Sequence, residues 1–180
     1  MKKIAVLIFM LWAAVTTAAG QALYKGQNGK IKFFSEATLE NIEAETNKAS
    51  SLYNESTGEV AILIPVKSFV FKRKLMQEHF NENYMESDKY PDASFAGKIK
   101  STQPLKGVTR QVVDISGTLS IHGVSKQRDI QATLTLNTDG TLSAKGKFIV
   151  KLEDHNVKIP SLLFQNIAEM VEVTFEFTLR

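Results

Sequence analysis

The side chains best suited to acid–base chemistry or metal binding are three histidines that lie far apart in the sequence. His79, His122 and His155 lack the close spacing of a metal motif such as His-Glu-x-x-His. Asp154 and His155 are adjacent and precede Asn156, and such a pair could serve as metal ligands. The same cluster is typical of a turn or a strand end, which is the interpretation that we favour.

Common catalytic motifs are missing from the rest of the sequence. His122 precedes Gly123 at the end of a strand-like run, which indicates a turn residue rather than a general base, and Glu78-His79 fits the solvated face of a helix. The chain has no cysteine, and it has no G-x-S-x-G elbow, phosphate-binding glycine loop or dinucleotide fingerprint. We therefore predict no catalytic residue, no metal and no cofactor, and thus not an enzyme.

The amino terminus has the pattern of a secretory signal peptide. Lys2 and Lys3 precede the apolar residues 4–15, and small residues follow at 16–20. We predict a signal peptide at residues 1–20, cleaved after Ala19, Gly20 or Ala22, and one periplasmic domain at residues 21–180. Without the signal the formal charge of +3 loses two lysines, and the remaining charges alternate in sign. Nucleic acid is therefore not an expected partner.

Alternation of apolar and polar residues dominates the chain from residue 29 onward and predicts half-buried strands. In residues 171–180 every odd position is apolar and every even one polar. Residues 130–136 and 142–152 repeat the pattern on either side of Thr138-Asp139-Gly140, which predicts a hairpin.

Further strands are predicted at residues 112–121 and 60–66, with weaker ones at 31–35, 39–47 and 95–100, to give about eight. Pro65 cannot donate to a ladder, so we place it at an edge, a bulge or a strand end. Strands this long favour a closed antiparallel barrel over a sandwich.

Small residues on the inward faces leave two interpretations of the barrel interior open. Gly117, Ala132, Ala144 and Gly146 either leave space for a small ligand or accommodate the large rings of the facing strands. Those rings belong to Phe148, Phe175 and Phe177.

One segment, residues 71–85, has helical rather than strand periodicity, and Tyr90-Pro91 is expected to stop it. We expect this amphipathic helix to cover an opening of the barrel. Its apolar stripe consists of Phe71, Leu75, Met76, Phe80 and Tyr84. The basic run at residues 72–74 is expected to be a solvated helix start and could also make transient contact with anionic head groups. A poorer helical or irregular stretch is predicted at residues 161–168.

Four stretches of sequence resemble the YceI-like protein family. They are residues 64–69 (IPVKSF), 75–87 (LMQEHFNENYMES), 89–95 (KYPDASF) and 117–126 (GTLSIHGVSK). The combination of a helix before Tyr-Pro-x-Ala-x-Phe and a strand ending in His-Gly-Val-x-Lys is the most specific feature. Where many relatives have an Arg-x-Asp-Phe-Gly-like element, this chain has LEDHNVKIP at residues 152–160.

The resemblance implies a mainly β, lipocalin-like antiparallel barrel with one amphipathic helix, exported to the periplasm. It also implies a polyisoprenoid or other long-chain lipid as ligand, held in an elongated hydrophobic cavity of a monomer or homodimer. Candidates for the lining are the inward apolar residues of the strands and the underside of the helix. They are Ile62, Ile64, Phe69, Phe71, Leu75, Met76, Phe80, Tyr84, Phe95, Ile115, Leu119, Phe148, Val150, Phe164, Phe175 and Phe177.

Two rival functions remain. A lipid-acting enzyme would need Asp154, His155 and His122 to converge in the cavity. A filled barrel would serve as a stress-related or partner-binding module and would have no cavity of useful volume.

Overall fold

The computed structural model describes residues 23–36, 41–100, 110–158 and 169–180. The predicted signal peptide at residues 1–20, the stretch at 161–168 and the candidate residue Phe164 lie outside these ranges. In the described part of the chain, no helix is of sufficient length and apolarity to cross a membrane.

Nine antiparallel strands make up most of the described chain. They are β1 (Leu23–Ser35), β2 (Ile42–Asn54), β3 (Glu59–Pro65), β4 (Val70–Phe71), β5 (Asp92–Ile99), β6 (Arg110–Ile121), β7 (Val124–Leu136), β8 (Leu142–Lys151) and β9 (Met170–Leu179). Their hydrogen-bonded order is β1-β9-β8-β7-β6-β5-β3-β2, and β2 pairs back onto β1. Eight strands therefore close into a barrel, and the short β4 is added to β2. The predicted antiparallel barrel is confirmed.

Tight turns set the register of the two long hairpins. His122 and Gly123 join β6 to β7 with φ angles of 51° and 73°, the pair of positive values that a two-residue type I′ turn requires. Gly140 joins β7 to β8 with φ of 82°, and the Asp139 carboxylate accepts a hydrogen bond from the Thr141 N–H at 3.0 Å. The predicted turn roles of His122 and of residues 138–140 are confirmed.

The first two strands are longer than their sequence pattern predicts. β1 begins at Leu23 rather than at residue 31, and β2 continues to Asn54 rather than ending at 47. Gly26 and Gly29 interrupt the apolar alternation of β1, and the β1–β2 register shifts on both sides of Gly29. Such irregularities shift the side-chain alternation, which explains why these strands were predicted too short. Pro65 ends β3, as predicted.

The helix is present within the predicted segment but is shorter at both ends. It consists of α1 (Lys74–His79) and one continuing π-helical turn, Phe80–Tyr84, closed by the Met85 N–H donating to the Phe80 carbonyl at 2.9 Å. Phe71 belongs instead to β4, where it pairs with Ala44. Tyr90-Pro91 does not stop the helix, which ends six residues before it. The Pro91 carbonyl accepts the Val66 N–H at 2.8 Å and leads into β5.

Two short 3₁₀ segments complete the description. Val66–Ser68 follows β3, and Leu152–His155 follows β8. The second segment contains Asp154 and His155, so the predicted strand-end position of this pair is confirmed. Asn156 ends it in the left-handed conformation, with φ of 55°.

Candidate ligand-binding cavity

A cavity of about 500 Å³ occupies one end of the barrel. It lies where β1, β3, β6 and β8 end and where β2, β5 and β9 begin, and we call this the open end. Apolar side chains form most of its wall. Ligand pockets generally measure about 300–1,000 Å³ and are mainly apolar, so this cavity has the volume and the lining of a small-molecule site.

The helix lies against the open end of the barrel, and Met76, Phe80 and Tyr84 line the cavity. The Phe80 ring stacks on Phe33 with centroids 5.5 Å apart and lies 5.0 Å from the ring of Phe71. Aromatic pairs at these distances stabilise a contact by about 0.5–1.5 kcal/mol beyond the area that they bury. The helix therefore contributes side chains to the cavity wall, and Phe80 attaches it to the rings of β1 and β4. That the helix covers an opening and contacts a ligand tail stays a prediction.

His155 is the most deeply buried polar residue of the cavity wall. Its side chain is fully buried, and its Nδ1 lies 3.0 Å from the Val124 carbonyl. Because a carbonyl only accepts, Nδ1 must carry the proton and Nε2 has the free lone pair. Among the described residues Nε2 has no hydrogen-bond partner. Burial lowers the pKa of His155, which favours the neutral form of the ring.

The other two members of the hypothetical catalytic set are held by different partners. Asp154 receives a hydrogen bond from Arg128 Nη2 at 2.6 Å. His122 Nε2 lies 2.8 Å from Glu86 Oε2, and the His122 ring contacts Tyr90 with centroids 4.6 Å apart. Neither Asp154 nor His122 lines the cavity. The His122 contacts join the β6–β7 turn to the residues that follow the helix, and the Asp154 contact joins the 3₁₀ segment to Arg128 of β7, so both side chains have structural roles.

A second cavity, of about 80 Å³, lies deeper in the barrel, toward its other end, which we call the closed end. Its described lining is almost entirely apolar, and Tyr53 is part of it. Burial raises the pKa of Tyr53 to about 12. The two cavities share five wall residues: Ile31, Ile64, Leu119, Phe148 and Val173.

The structure divides the candidate lining residues between the two cavities. Nine line the open-end cavity: Ile64, Phe69, Phe71, Met76, Phe80, Tyr84, Leu119, Phe148 and Val150. The closed-end cavity is lined by Ile62, Phe95, Ile115, Phe175 and Phe177, together with the shared Ile64, Leu119 and Phe148.

Leu75 is the exception among the described candidates. Its side chain is 61% exposed and reaches neither cavity. It lies one position before Met76, so a rotation of about 100° along the helix turns it to solvent. Assigning Leu75 to the cavity lining was therefore wrong.

Several cavity residues were missed at the level of sequence. Ile31 and Phe33 lie on β1, whose alternation the glycines obscure, and Val157 follows the 3₁₀ segment. Val171 and Val173 share the inward face of β9 with Phe175 and Phe177, so the alternation of residues 171–179 contained the signal for both.

Within residues 23–36, 41–100, 110–158 and 169–180, no group of three or more His, Asp or Glu side chains is arranged to hold a metal ion. His79 is exposed, as its place on a solvated helix face predicted, and borders the mouth of the cavity.

Comparison with solved structures finds the same fold in several bacterial proteins. A polyisoprenoid binding domain from Saccharophagus degradans, implicated in plant cell wall breakdown, superposes with a TM-score of 0.74 at 18% identity and covers 89% of this chain and 98% of its own. Burkholderia cenocepacia BcnA gives a TM-score of 0.71 at 20% identity, with 83% and 95% of the two chains covered. The YceI protein of Campylobacter jejuni gives 0.62 at 16% identity, with 79% and 86% covered.

No curated protein matches the sequence significantly. The comparison with family models identifies the family of the chain directly. The YceI-like domain matches residues 13–179, which include every strand of the barrel and the helix. The chain therefore belongs to the YceI-like domain family.

Proposed function

We propose that this protein binds a polyisoprenoid or similar amphiphilic lipid in the periplasm and sequesters or carries it without converting it. The observation that supports this proposal most directly is the apolar cavity of about 500 Å³ beneath the helix. Family membership and the polyisoprenoid-binding description of the Saccharophagus degradans relative favour the same class of ligand. The proposed periplasmic location rests on the signal-peptide pattern of residues 1–20.

An apolar cavity is a sufficient binding device for a prenyl tail. Each buried methylene contributes about 0.8 kcal/mol, so a five-carbon unit contributes roughly 4 kcal/mol before the costs of association and ordering. The tail needs no polar contact inside the cavity. A polar head group would remain at the mouth, near the exposed His79.

The rim of the open end has features suited to transfer of a lipid from a membrane surface. Val70 and Leu75 are 62% and 61% exposed, and they flank the basic residues 72–74. Lys72 and Lys74 also make exposed ion pairs, with Glu43 and Glu78 respectively. Because exposed apolar and basic side chains lie next to one another here, we include transient contact with a membrane surface in the proposal. Residues 72–74 would contact anionic head groups, and Val70 and Leu75 would make the apolar contacts.

The polar contacts around the cavity support a binding role without turnover. The His155 ring is buried with a lowered pKa, and among the described residues the one hydrogen bond of the ring is to the Val124 carbonyl. The Asp154 carboxylate, which would have to orient a catalytic imidazole, is paired with Arg128 instead. A general base needs a partner that orients it and stabilises its charged form, and the described residues supply none to His155.

The direct test is mass spectrometry of organic extracts from the native protein purified from the periplasm. We expect a polyisoprenoid or a related long-chain amphiphile in near-stoichiometric amount. Extracts that contain no lipid, together with no uptake of added prenols, would contradict the proposed function.

Adjacent helix positions provide a matched pair of variants for the binding site. Met76 lines the cavity, whereas Leu75 on the same helix is exposed, so Met76→Glu and Leu75→Glu introduce the same charge one residue apart. We expect Met76→Glu to lower the affinity for a prenol probe at least tenfold with little change in melting temperature. Leu75→Glu should leave probe affinity in detergent-free solution unchanged. Equal effects of the two substitutions would contradict binding beneath the helix.

A further inference from the structure

The outer surface of the barrel differs in charge between its two sides. On β2, β3, β5, β6 and β7, two neighbouring rows of outward side chains are uncharged. One row, paired across the strands in this order, consists of Leu52, Ala61, Ala96, Thr118 and Gln127. The next row, paired in the same way, consists of Ser50, Leu63, Ser94, Ser120 and Ser125. We call the residues of these two rows the neutral face.

The opposite side of the barrel, on β8, β9 and β1, carries charges that pair between strands. Lys145 of β8 pairs with Glu176 of β9 at 2.6 Å, and Lys30 of β1 pairs with Glu45 of β2 at 2.9 Å. Charged residues make up 23% of the sequence, yet the neutral face has none. Depletion of charged residues marks the centre of protein–protein interfaces, so the neutral face has the composition of a contact surface.

Leu52 and Leu63 provide the exposed apolar surface of the neutral face. They are 44% and 46% exposed on adjacent strands. Their neighbours toward β5 are small, because Ala61 and Ala96 follow Leu52 and Ser94 follows Leu63. The face is therefore raised on β2–β3 and low on β5. In a second copy related by a two-fold axis, the leucines can lie over the small residues of the first, as side chains of two packed sheets interdigitate.

The absence of charge favours a second copy of the chain over a different protein as the partner. In a two-fold contact the same surface patch meets itself, so side chains near the axis face their own counterparts. A charged side chain there would face a like charge, which is unfavourable. The neutral face avoids this repulsion, whereas recognition of a different partner generally uses complementary charge.

Polar side chains on the β6–β7 part of the neutral face already have hydrogen-bond partners within it. Ser120 Oγ and Ser125 Oγ lie 2.7 Å apart, and Gln127 Nε2 donates to Thr118 Oγ1 at 2.9 Å. A buried polar group is costly mainly when it lacks a partner. A second copy can therefore cover these side chains without leaving them unpaired.

The extent of the neutral face sets the expected strength of the contact. Five strands about 4.8 Å apart, with about six residues along each at roughly 3.4 Å, give a face of about 20 Å by 20 Å, on the order of 400 Å² per copy. Stable interfaces bury about 800 Å² per partner, and transient ones bury less than about 600 Å². We therefore expect weak association that depends on concentration.

We propose that two copies of this chain associate through the neutral face, sheet against sheet about a two-fold axis, with Leu52 and Leu63 as the main apolar contacts. None of the residues of this face lines the open-end cavity. The proposal is therefore independent of the proposed function.

Sedimentation equilibrium of the purified native protein, from micromolar to millimolar concentration, tests the association. We expect the weight-average mass to rise with concentration from that of one chain toward that of two. Leu63→Lys and Ala96→Lys place a charge on the raised and on the low part of the face, and each should weaken association at least about tenfold. A native protein that stays monomeric throughout, or that associates beyond two copies, would overturn the proposal.

Ile149→Lys is the matched control. Ile149 is 48% exposed, about as much as the two leucines, but it lies on β8, on the charged side of the barrel. This variant should associate as the native protein does. Equal weakening by Ile149→Lys, or unchanged association of both neutral-face variants, would refute the assignment of the contact to the neutral face.

Cross-linking locates the contact without altering its charge. The chain contains no cysteine, so a single introduced cysteine can be linked only to its counterpart in another copy. At concentrations where the native protein associates, a short bismaleimide should give covalent dimers of Ala61→Cys and not of Ile149→Cys. The reverse result would place the contact on the charged side and count against the proposal.

Discussion

Gly29 and Phe177 offer a quantitative test of how the closed half of the barrel is packed. A Cβ built on Gly29 would lie only 2.1 Å and 2.2 Å from two carbon atoms of the Phe177 ring. The next nearest described atom is the Ala49 carbonyl oxygen, at 3.2 Å. Phe177 is 2% exposed. The φ angle of Gly29 is not in the left-handed region, so the backbone itself tolerates alanine. The ring is therefore the main obstacle to a side chain at position 29.

The magnitudes follow from these contacts. Phe177→Ala should lower the free energy of unfolding by about 3–5 kcal/mol, as truncation of a buried ring does. Gly29→Ala forces the ring aside at a cost of about 1–3 kcal/mol, partly offset by about 0.4–1 kcal/mol from the smaller entropy of the unfolded chain. In the double variant the overlap is gone. The double variant should therefore be no less stable than Phe177→Ala, with a coupling free energy of about 1–3 kcal/mol.

Equilibrium urea denaturation of the four proteins measures the coupling, provided that the m-value is unchanged across the set. Gly29→Ala combined with Phe95→Ala is the control cycle, because Phe95 lies over Gly97 and Gly117 rather than Gly29. Additivity in the Gly29–Phe177 cycle within about 0.5 kcal/mol would refute the packing argument.

Three further predictions concern the histidines and the amino terminus. Burial lowers the pKa of His155, so near and below the unfolded-state pKa of about 6.5 the unfolded chain binds more protons than the folded chain. The free energy of unfolding should therefore fall as the pH decreases from 7 toward the lowered pKa. Urea denaturation at a series of pH values measures this fall, which should be smaller in His155→Gln. Alanine at His122 should lower the free energy of unfolding by about 1 kcal/mol, since hydrogen bonds are lost, and alanine at the fully buried His155 should lower it by more, since a buried ring is removed as well. Both variants should leave prenol uptake per folded molecule largely intact. Loss of lipid turnover with unaltered binding in either variant would favour the enzyme instead. The intact mass of the periplasmic protein should correspond to a chain that begins between about Ala19 and Leu23, and a mature species that still begins at Met1 would contradict export with cleavage.

Local pattern in the sequence determined the class of fold. Strict alternation in residues 171–179 and 130–136 predicts strands with one buried face, because successive side chains of a strand point to opposite sides. The long strands favoured a barrel, and the helical spacing of Met76, Phe80 and Tyr84 predicted the covering helix. These periodicities are short-range, and they can be recognised in the sequence wherever one face of a helix or strand is buried.

Only the tertiary structure decided how the interior is used. Whether Gly146 leaves a void or receives a ring depends on Phe175, a residue on the neighbouring strand, and no local pattern contains that distance. The same holds for β1, whose pairing with both β2 and β9 closes the barrel although its glycines interrupt the alternation. Leu75 and Met76 are adjacent apolar residues of one stripe. Because of the orientation of the helix on the rim, Leu75 faces solvent and Met76 faces the cavity. Sequence therefore determined which residues are apolar and in which elements, whereas packing between distant strands determined where space remains for a ligand.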